Sequence, residues 1–135
     1  MDYNTKETKT ISFVMYTVDF LLGKVHGITV TESNLAYNGS LTIDETIIEA
    51  AGLMEYQKVL VVNNKNGERL ETYLIRGQRD SGVCCLNGAA AYKGSTGDEL
   101  IVMAFGYIDE YIARNYKPKR VFINAKNKID RVEKD

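Results

Sequence analysis

Lys58-Val-Leu-Val-Val-Asn63 and Arg69-Leu-Glu-Thr-Tyr-Leu-Ile75, joined by Asn64-Lys-Asn-Gly-Glu68, read as strand, turn and strand. Both flanks are rich in β-branched and aromatic residues, which fit a pleated, half-buried surface. Asn66-Gly67 between them is a dipeptide that favours the positive backbone angles of a tight hairpin. It is the strongest hairpin signal in the chain.

Upstream, Lys24 to Thr31 nearly alternates and suits a strand with one buried face. Glu32 to Leu35 reads as a polar turn or short helix, and Asn38-Gly39 as a tight turn within Tyr37 to Ser40. Asp44 to Gly52 predicts a short helix, with acidic residues at its start and glycine as its stop. Downstream, Gly82 to Leu86, Glu99 to Phe105 and Arg120 to Asn124 read as strands, and Gly94 to Asp98 as a loop. Asn87 to Ala91 ends the strand, with three alanines that are too few to decide for or against a helix, and Asp109 to Asn115 reads as a helical turn. Lys126 to Asp135 reads as a charged, frayed tail. Short strands, short helices and Gly-rich turns predict a mainly β fold, a small closed barrel with short helices.

The 135 residues suit one domain with a real core. With 17 basic against 18 acidic residues, the chain lacks the basic surplus that phosphate binding needs, so no nucleic acid is expected. Lys117-Pro118-Lys119-Arg120 reads as a solvated loop. Cys84 and Cys85 are adjacent, a poor geometry for a disulfide, and read as packing residues of a reducing, cytoplasmic compartment. With one histidine and no spaced cysteine pair, no metal site is expected. Ile11 to Leu22 is apolar, but Thr17 and Asp19 interrupt it and it is too short for a span, so neither a leader nor a membrane segment is expected.

A set of motifs then narrows the reading. In order they are Gly23-Lys24-Val25-His26, Leu35-Ala36-Tyr37-Asn38-Gly39-Ser40, Asn66-Gly67-Glu68-Arg69 running into Thr72-Tyr73, Asn87-Gly88-Ala89-Ala90-Ala91, Gly97-Asp98 and Tyr116-Lys117-Pro118. Each is common alone. In this order and spacing they resemble the pyruvoyl-dependent aspartate 1-decarboxylases over about four-fifths of the chain. Ala36 and Asn38 depart from the residues usual in that family before the Gly-Ser pair. The resemblance implies a double-psi β-barrel over 16–126, an N-terminal extension over 1–15 and a charged tail over 127–135. Met15 is an alternative start.

The resemblance also implies self-cleavage between Gly39 and Ser40. The Ser40 hydroxyl attacks the carbonyl of Gly39, where glycine tolerates strained angles and leaves the carbon approachable. Thr72 is the implied donor to the developing oxyanion. The cofactor implied is a covalently bound pyruvoyl group derived from Ser40, which captures the substrate's amine as a Schiff base and draws electrons when carbon dioxide leaves. Tyr73 is the implied proton donor to the carbon left behind. Lys24, His26, Arg69, Thr72, Asn87, Gly88, Ala89 and Ala90 are the implied substrate-binding residues, with Arg69 and Lys24 as cations for the carboxylates of L-aspartate. Strand alternation puts Lys24 with His26 and Arg69 with Tyr73, but Thr72 opposite Arg69. A bulge, the strand end or a neighbouring subunit's site would account for Thr72.

The implied activity is conversion of L-aspartate to β-alanine and carbon dioxide for pantothenate and coenzyme A synthesis. The implied assembly is a cytoplasmic homotetramer, with a maturation partner as a further expectation. Two alternatives stand beside it. One is a pyruvoyl decarboxylase of another amino acid. The other is an unprocessed barrel that binds a small anion or a protein.

Overall fold

Residues 15–135 are described by a computed structural model, and their elements run β1 (Thr17–Thr29), β2 (Glu32–Asn34), β3 (Ser40–Asp44), α1 (Glu45–Ala50), β4 (Lys58–Asn63), β5 (Arg69–Gly77), β6 (Cys84–Asn87), a 3-10 helix (Gly88–Lys93), β7 (Glu99–Asp109), α2 (Glu110–Ala113), β8 (Lys119–Ile123) and β9 (Ile129–Glu133). The hairpin forms as its sequence predicts. β4 and β5 pair antiparallel from Lys58–Tyr73 to Val62–Arg69 without a register shift. Gly67 closes the turn at φ 77°, and the Asn66 and Asn63 side-chain oxygens accept from the backbone N–H groups of Glu68 and Lys65.

Sheet order is β2-β6-β3-β5-β4-β7-β1-β8-β9. β3 runs parallel to β5, and β1 parallel to β8, although each pair is distant in sequence. The circuit β6-β3-β5-β4-β7-β1 closes just past the end of β1. There Thr31 N–H donates to the Cys84 carbonyl at 2.8 Å, and Cys84 N–H donates to Thr31 Oγ1 at 2.9 Å. This is a small closed β-barrel with short helices, consistent with the double-psi class. Its interior is filled by inward-facing residues of the strands in this circuit, including Val25, Ile28, Leu41, Ile43, Val61, Leu74, Leu86, Leu100 and Val102. Burying such side chains, at roughly 1.5–3 kcal/mol each, is the main favourable term in folding.

Two irregularities in β1 aim its side chains. The register with β7 shifts between Leu21 and Gly23 and again between His26 and Ile28. The second shift falls at Gly27, whose φ of 90° suits glycine. Val25 and Ile28 therefore both face inward, while Lys24 and His26 share the outer face.

Other segments differ from expectation. Glu32–Asn34, expected as a turn or helix, is a strand paired parallel with β6. The chain reversal falls at Leu35-Ala36, where Asn34 Oδ1 accepts from Ala36 N–H, rather than at Asn38-Gly39. The expected tail carries β9, paired antiparallel with β8 from Arg120–Glu133 to Ile123–Ile129. Its hydrophobic content is low because Arg120, Arg131 and Glu133 pair on the surface instead. Asn127, buried in the turn before β9, donates to the carbonyls of Thr29 and Gly82 and so ties that turn to the barrel. α1 follows the sequence reading closely: Asp44 caps it by accepting from Thr46 N–H, and Gly52 ends its turn at φ 72°. The expected extension lies outside the described residues except for Met15. Among the described residues no helix is long and apolar enough to cross a membrane, and no cluster of His, Cys, Asp or Glu could hold a metal.

Candidate active site

Ser40 is the first residue of β3 and only 4% exposed. Its neighbours follow from register: β3 lies between β6 and β5, with Ser40 opposite Asn87 and Thr42 opposite both Cys85 and Ile75. Asn87 Nδ2 donates to Ser40 Oγ and to Thr42 Oγ1, both at 2.9 Å. The Ser40 hydroxyl donates to the Asn38 carbonyl at 3.2 Å. The serine oxygen is thus held from two sides, inside the fold, beside the carbonyl of Gly39.

The Gly39–Ser40 bond sits between two open hollows. One, of about 380 Å³, is lined by Gly39, Leu70, Glu71, Thr72, Tyr73, Ala89, Ala90 and Lys93. The other, of about 430 Å³, is lined by Tyr37, Asn38, Ser40, Thr42, Tyr56, Tyr73, Ile75 and Asn87. Tyr73 lines both. Among the residues singled out in the sequence, Gly39, Ser40, Thr72, Tyr73, Asn87, Ala89 and Ala90 therefore gather in one chain around one peptide bond.

Gly39 does not have the strained backbone expected of it, for its φ lies outside the left-handed region. A Cβ there would meet nothing nearer than the Asn87 carbonyl at 4.0 Å. Glycine's contribution at this position is open space where a side chain would otherwise stand. The conformational demand falls on Gly88, at φ 63°, where a Cβ would lie 2.6 Å from the Tyr37 carbonyl oxygen and 2.8 Å from Gly39 Cα. Gly88 thus lets the turn into the 3-10 helix pack directly on the bond in question.

Thr72 does face away from Arg69 and Tyr73, as alternation requires. Across the ladder it pairs with Val59, which is 1% exposed, on the inner face. It shares the Gly39 hollow within its own chain, so neither a bulge nor a neighbouring subunit is needed to explain it.

Lys24, His26 and Arg69 line neither hollow. They lie on the outer face of the β1-β7-β4-β5 sheet. His26, Ile101, Val62 and Arg69 form one cross-strand row, and Lys24, Met103, Leu60 and Glu71 the next. His26 packs against Phe122 with ring centroids 5.4 Å apart, and Arg131 stacks 4.1 Å above that ring. His26 Nδ1 is buried and has no partner among the described residues.

Sequence reasoning missed Thr42, Tyr56 and Cys85. Thr42 is two residues beyond Ser40, and Cys85 two before Asn87, so strand alternation alone points to both. Cys85 Sγ lies 3.0 Å from Asn87 Oδ1. Burial, with the nearby charge of Glu32, pushes its thiol pKa up and keeps it protonated. Tyr56 comes from a turn, at φ 72°, and its ring centroid is 6.3 Å from that of Tyr73. No local pattern announces it.

Comparison with known proteins identifies relatives of the whole barrel. A family model described as aspartate decarboxylase matches residues 15–130. An aspartate 1-decarboxylase of Clostridium botulinum is 53% identical over 115 residues, covering 85% of this chain and 93% of that protein. One from Bacillus pumilus is 52% identical over 84% of this chain and 89% of its own length. Another from Parabacteroides distasonis is 51% identical over 83% of this chain and 97% of its own length. A match that spans the barrel and both hollows, at about half identity, shows that the chain belongs to the aspartate decarboxylase family.

Proposed function

We propose that this chain cuts itself between Gly39 and Ser40 and then converts L-aspartate to β-alanine and carbon dioxide. The observation that carries the reading is the buried Ser40 hydroxyl, held by Asn87 and Asn38 next to a glycine with no side chain to crowd the bond between them.

In the first step Ser40 Oγ bonds to the carbonyl carbon of Gly39. Thr72, on the wall of the Gly39 hollow, donates to the oxygen that gains charge. The C–N bond breaks, the nitrogen of residue 40 takes up the serine proton, and an ester replaces the amide. Loss of the Cα proton of residue 40 expels Oγ with the Gly39 carboxylate. Water then displaces ammonia, leaving a pyruvoyl group at position 40 and fragments 1–39 and 40–135.

The surroundings of residue 40 fit such a group: it is no larger than the buried serine it replaces, and once Oγ has left with Gly39 the Asn87 N–H that held it is free beside that position. When present, the pyruvoyl group supplies the electron sink for breaking a carbon–carbon bond. Ala89 and Ala90 keep the wall of the hollow low so that a substrate reaches position 40. Tyr73, bordering both hollows, delivers the proton to the carbon that has lost carbon dioxide.

Aspartate needs cations, and Lys24 and Arg69 stand on the outer sheet face instead of in this chain's hollows. We infer that they, with His26, serve the hollow of a neighbouring copy in a homotetramer. The outer rows contain Leu60, Val62, Ile101 and Met103, which suit burial between subunits. A biosynthetic role in the cytoplasm fits this chemistry.

Steady-state assays with aspartate, glutamate and cysteine test the substrate. Aspartate is expected to dominate, and comparable turnover of glutamate or cysteine would assign another amino acid.

A further inference from the structure

We propose that Cys85 and Thr42 are positioning residues, which hold the Asn87 carboxamide in the one orientation that aims an N–H at Ser40 Oγ. The inference rests on the self-cleavage reading and adds to it two residues outside the reacting atoms.

An asparagine amide has two faces of opposite character and can rotate by half a turn in the same space. Here every polar atom of that amide is engaged. Its oxygen faces the Cys85 thiol at 3.0 Å, and its nitrogen donates to Ser40 Oγ and Thr42 Oγ1 at 2.9 Å each. The thiol is the group that breaks the symmetry. It is a donor and the weaker acceptor of its kind, so it favours Oδ1 over Nδ2 as its neighbour. Thr42 Oγ1, on the opposite side, takes the second N–H that would otherwise be orphaned beside β3. All four side chains project to one side of the β6–β3 ladder: Ser40 is opposite Asn87, and Thr42 opposite Cys85.

Turning the amide over would alter the nucleophile. Asn87 Oδ1 would then draw the Ser40 hydroxyl proton away from the Asn38 carbonyl, to which it now donates at 3.2 Å. It would also remove the N–H that fixes the rotamer of Ser40 beside the Gly39 carbonyl. Chain cleavage is therefore the step most sensitive to the clamp. The buried position of Cys85, 5% exposed, keeps water from substituting for the thiol.

The test follows fresh wild-type protein and the variants Cys85→Ala, Cys85→Ser, Thr42→Val, Asn87→Ala and Cys85→Ala/Asn87→Ala by intact mass over time, with the melting temperature of each. Cys85→Ala and Thr42→Val are each expected to slow cleavage about three- to tenfold, the range of one neutral hydrogen bond. Cys85→Ser keeps a donor and is expected to stay within about twofold of wild type. The double variant is expected to cleave no more slowly than Asn87→Ala, because Cys85 acts through that amide. A merely structural cysteine would lower the melting temperature in Ala and Ser alike without this pattern of rates. Wild-type cleavage by both Cys85→Ala and Thr42→Val would overturn the inference. So would a double variant slowed by the full product of the single factors. Should Cys85→Ala fail to fold, Thr42→Val and Cys85→Ser still decide it. An uncut wild-type chain is a different result, which overturns the self-cleavage reading and the clamp with it.

Discussion

Ser40 combines three properties that seldom meet in one residue: it is buried, hydrogen-bonded from two sides, and preceded by a glycine with open space where a side chain would stand. Ser40→Ala is expected to yield a single full-length chain with no β-alanine formed, measured by intact mass and product assay. Tyr73→Phe keeps the ring that separates the hollows and loses only the phenolic proton. It is expected to cleave normally and to turn over about a hundredfold or more slowly. Normal decarboxylation by this variant would remove Tyr73 from the chemistry. At this scale Gly39, Ser40, Thr72 and Asn87 were all legible in the sequence, because each stands in a recognisable motif. The hydrogen bonds among them were not. Ser40 and Asn87 are 47 residues apart, and only the β3–β6 register brings them within 2.9 Å. Cys85 read as packing material for the same reason, since its polar partner lies across a fold that the sequence does not display.

Two turns set the geometry that the strands present. The turn into the 3-10 helix passes so close to Gly39 that Gly88→Ala must push the backbone of Tyr37 or Gly39 aside. A loss of roughly 1–3 kcal/mol is expected from the backbone angle alone, with slowed chain cleavage, read by chemical unfolding and intact mass. The loop before β7 is anchored by Asp98, whose Oδ2 accepts from Asn63 Nδ2 and Ser95 N–H at 2.9 Å each. These hydrogen bonds, Asn63's first, hold its carboxyl below the usual carboxylate range. The unfolded chain therefore takes up this proton at a higher pH than the folded one. The contribution of Asp98 is complete above the ordinary carboxylate value of about 3.9 and is lost as pH falls through the depressed value. Asp98→Asn is expected to lower the urea midpoint at neutral pH and to flatten its fall in acid. An unchanged acid limb would show that other carboxylates govern it. The hairpin and α1 were legible element by element, since Asn66-Gly67, Asp44 and Gly52 are local signals. β2 and β9 were not, because short polar strands owe their existence to the neighbour they pair with.

Across the whole molecule the fold divides the work between two surfaces. The Gly39–Ser40 bond and its hydrogen bonds belong to the β6-β3-β5 side of one chain, whereas Lys24, His26 and Arg69 stand on the outer face of β1-β7-β4-β5. The barrel was legible as a class from its many short strands, but its closure through Thr31 and Cys84 was not, since no local pattern marks that pair. The division predicts that the two activities separate. Leu60→Glu places a charge in the middle of the outer rows. If the proposed homotetramer uses this face, light scattering is expected to show smaller species than wild type, with cleavage intact and turnover of aspartate abolished. An unchanged, fully active assembly would show that this sheet face is not the seam through which Lys24 and Arg69 are proposed to reach a neighbouring site. The central claim concerns the covalent state of the chain, so the most direct measurement is the intact mass of freshly purified, active wild-type protein. The expected result is two polypeptides, 1–39 and 40–135, the larger resistant to N-terminal sequencing and lighter by one ammonia than the same fragment beginning with serine. A fully active protein with one unbroken chain and an unaltered serine at position 40 would contradict it.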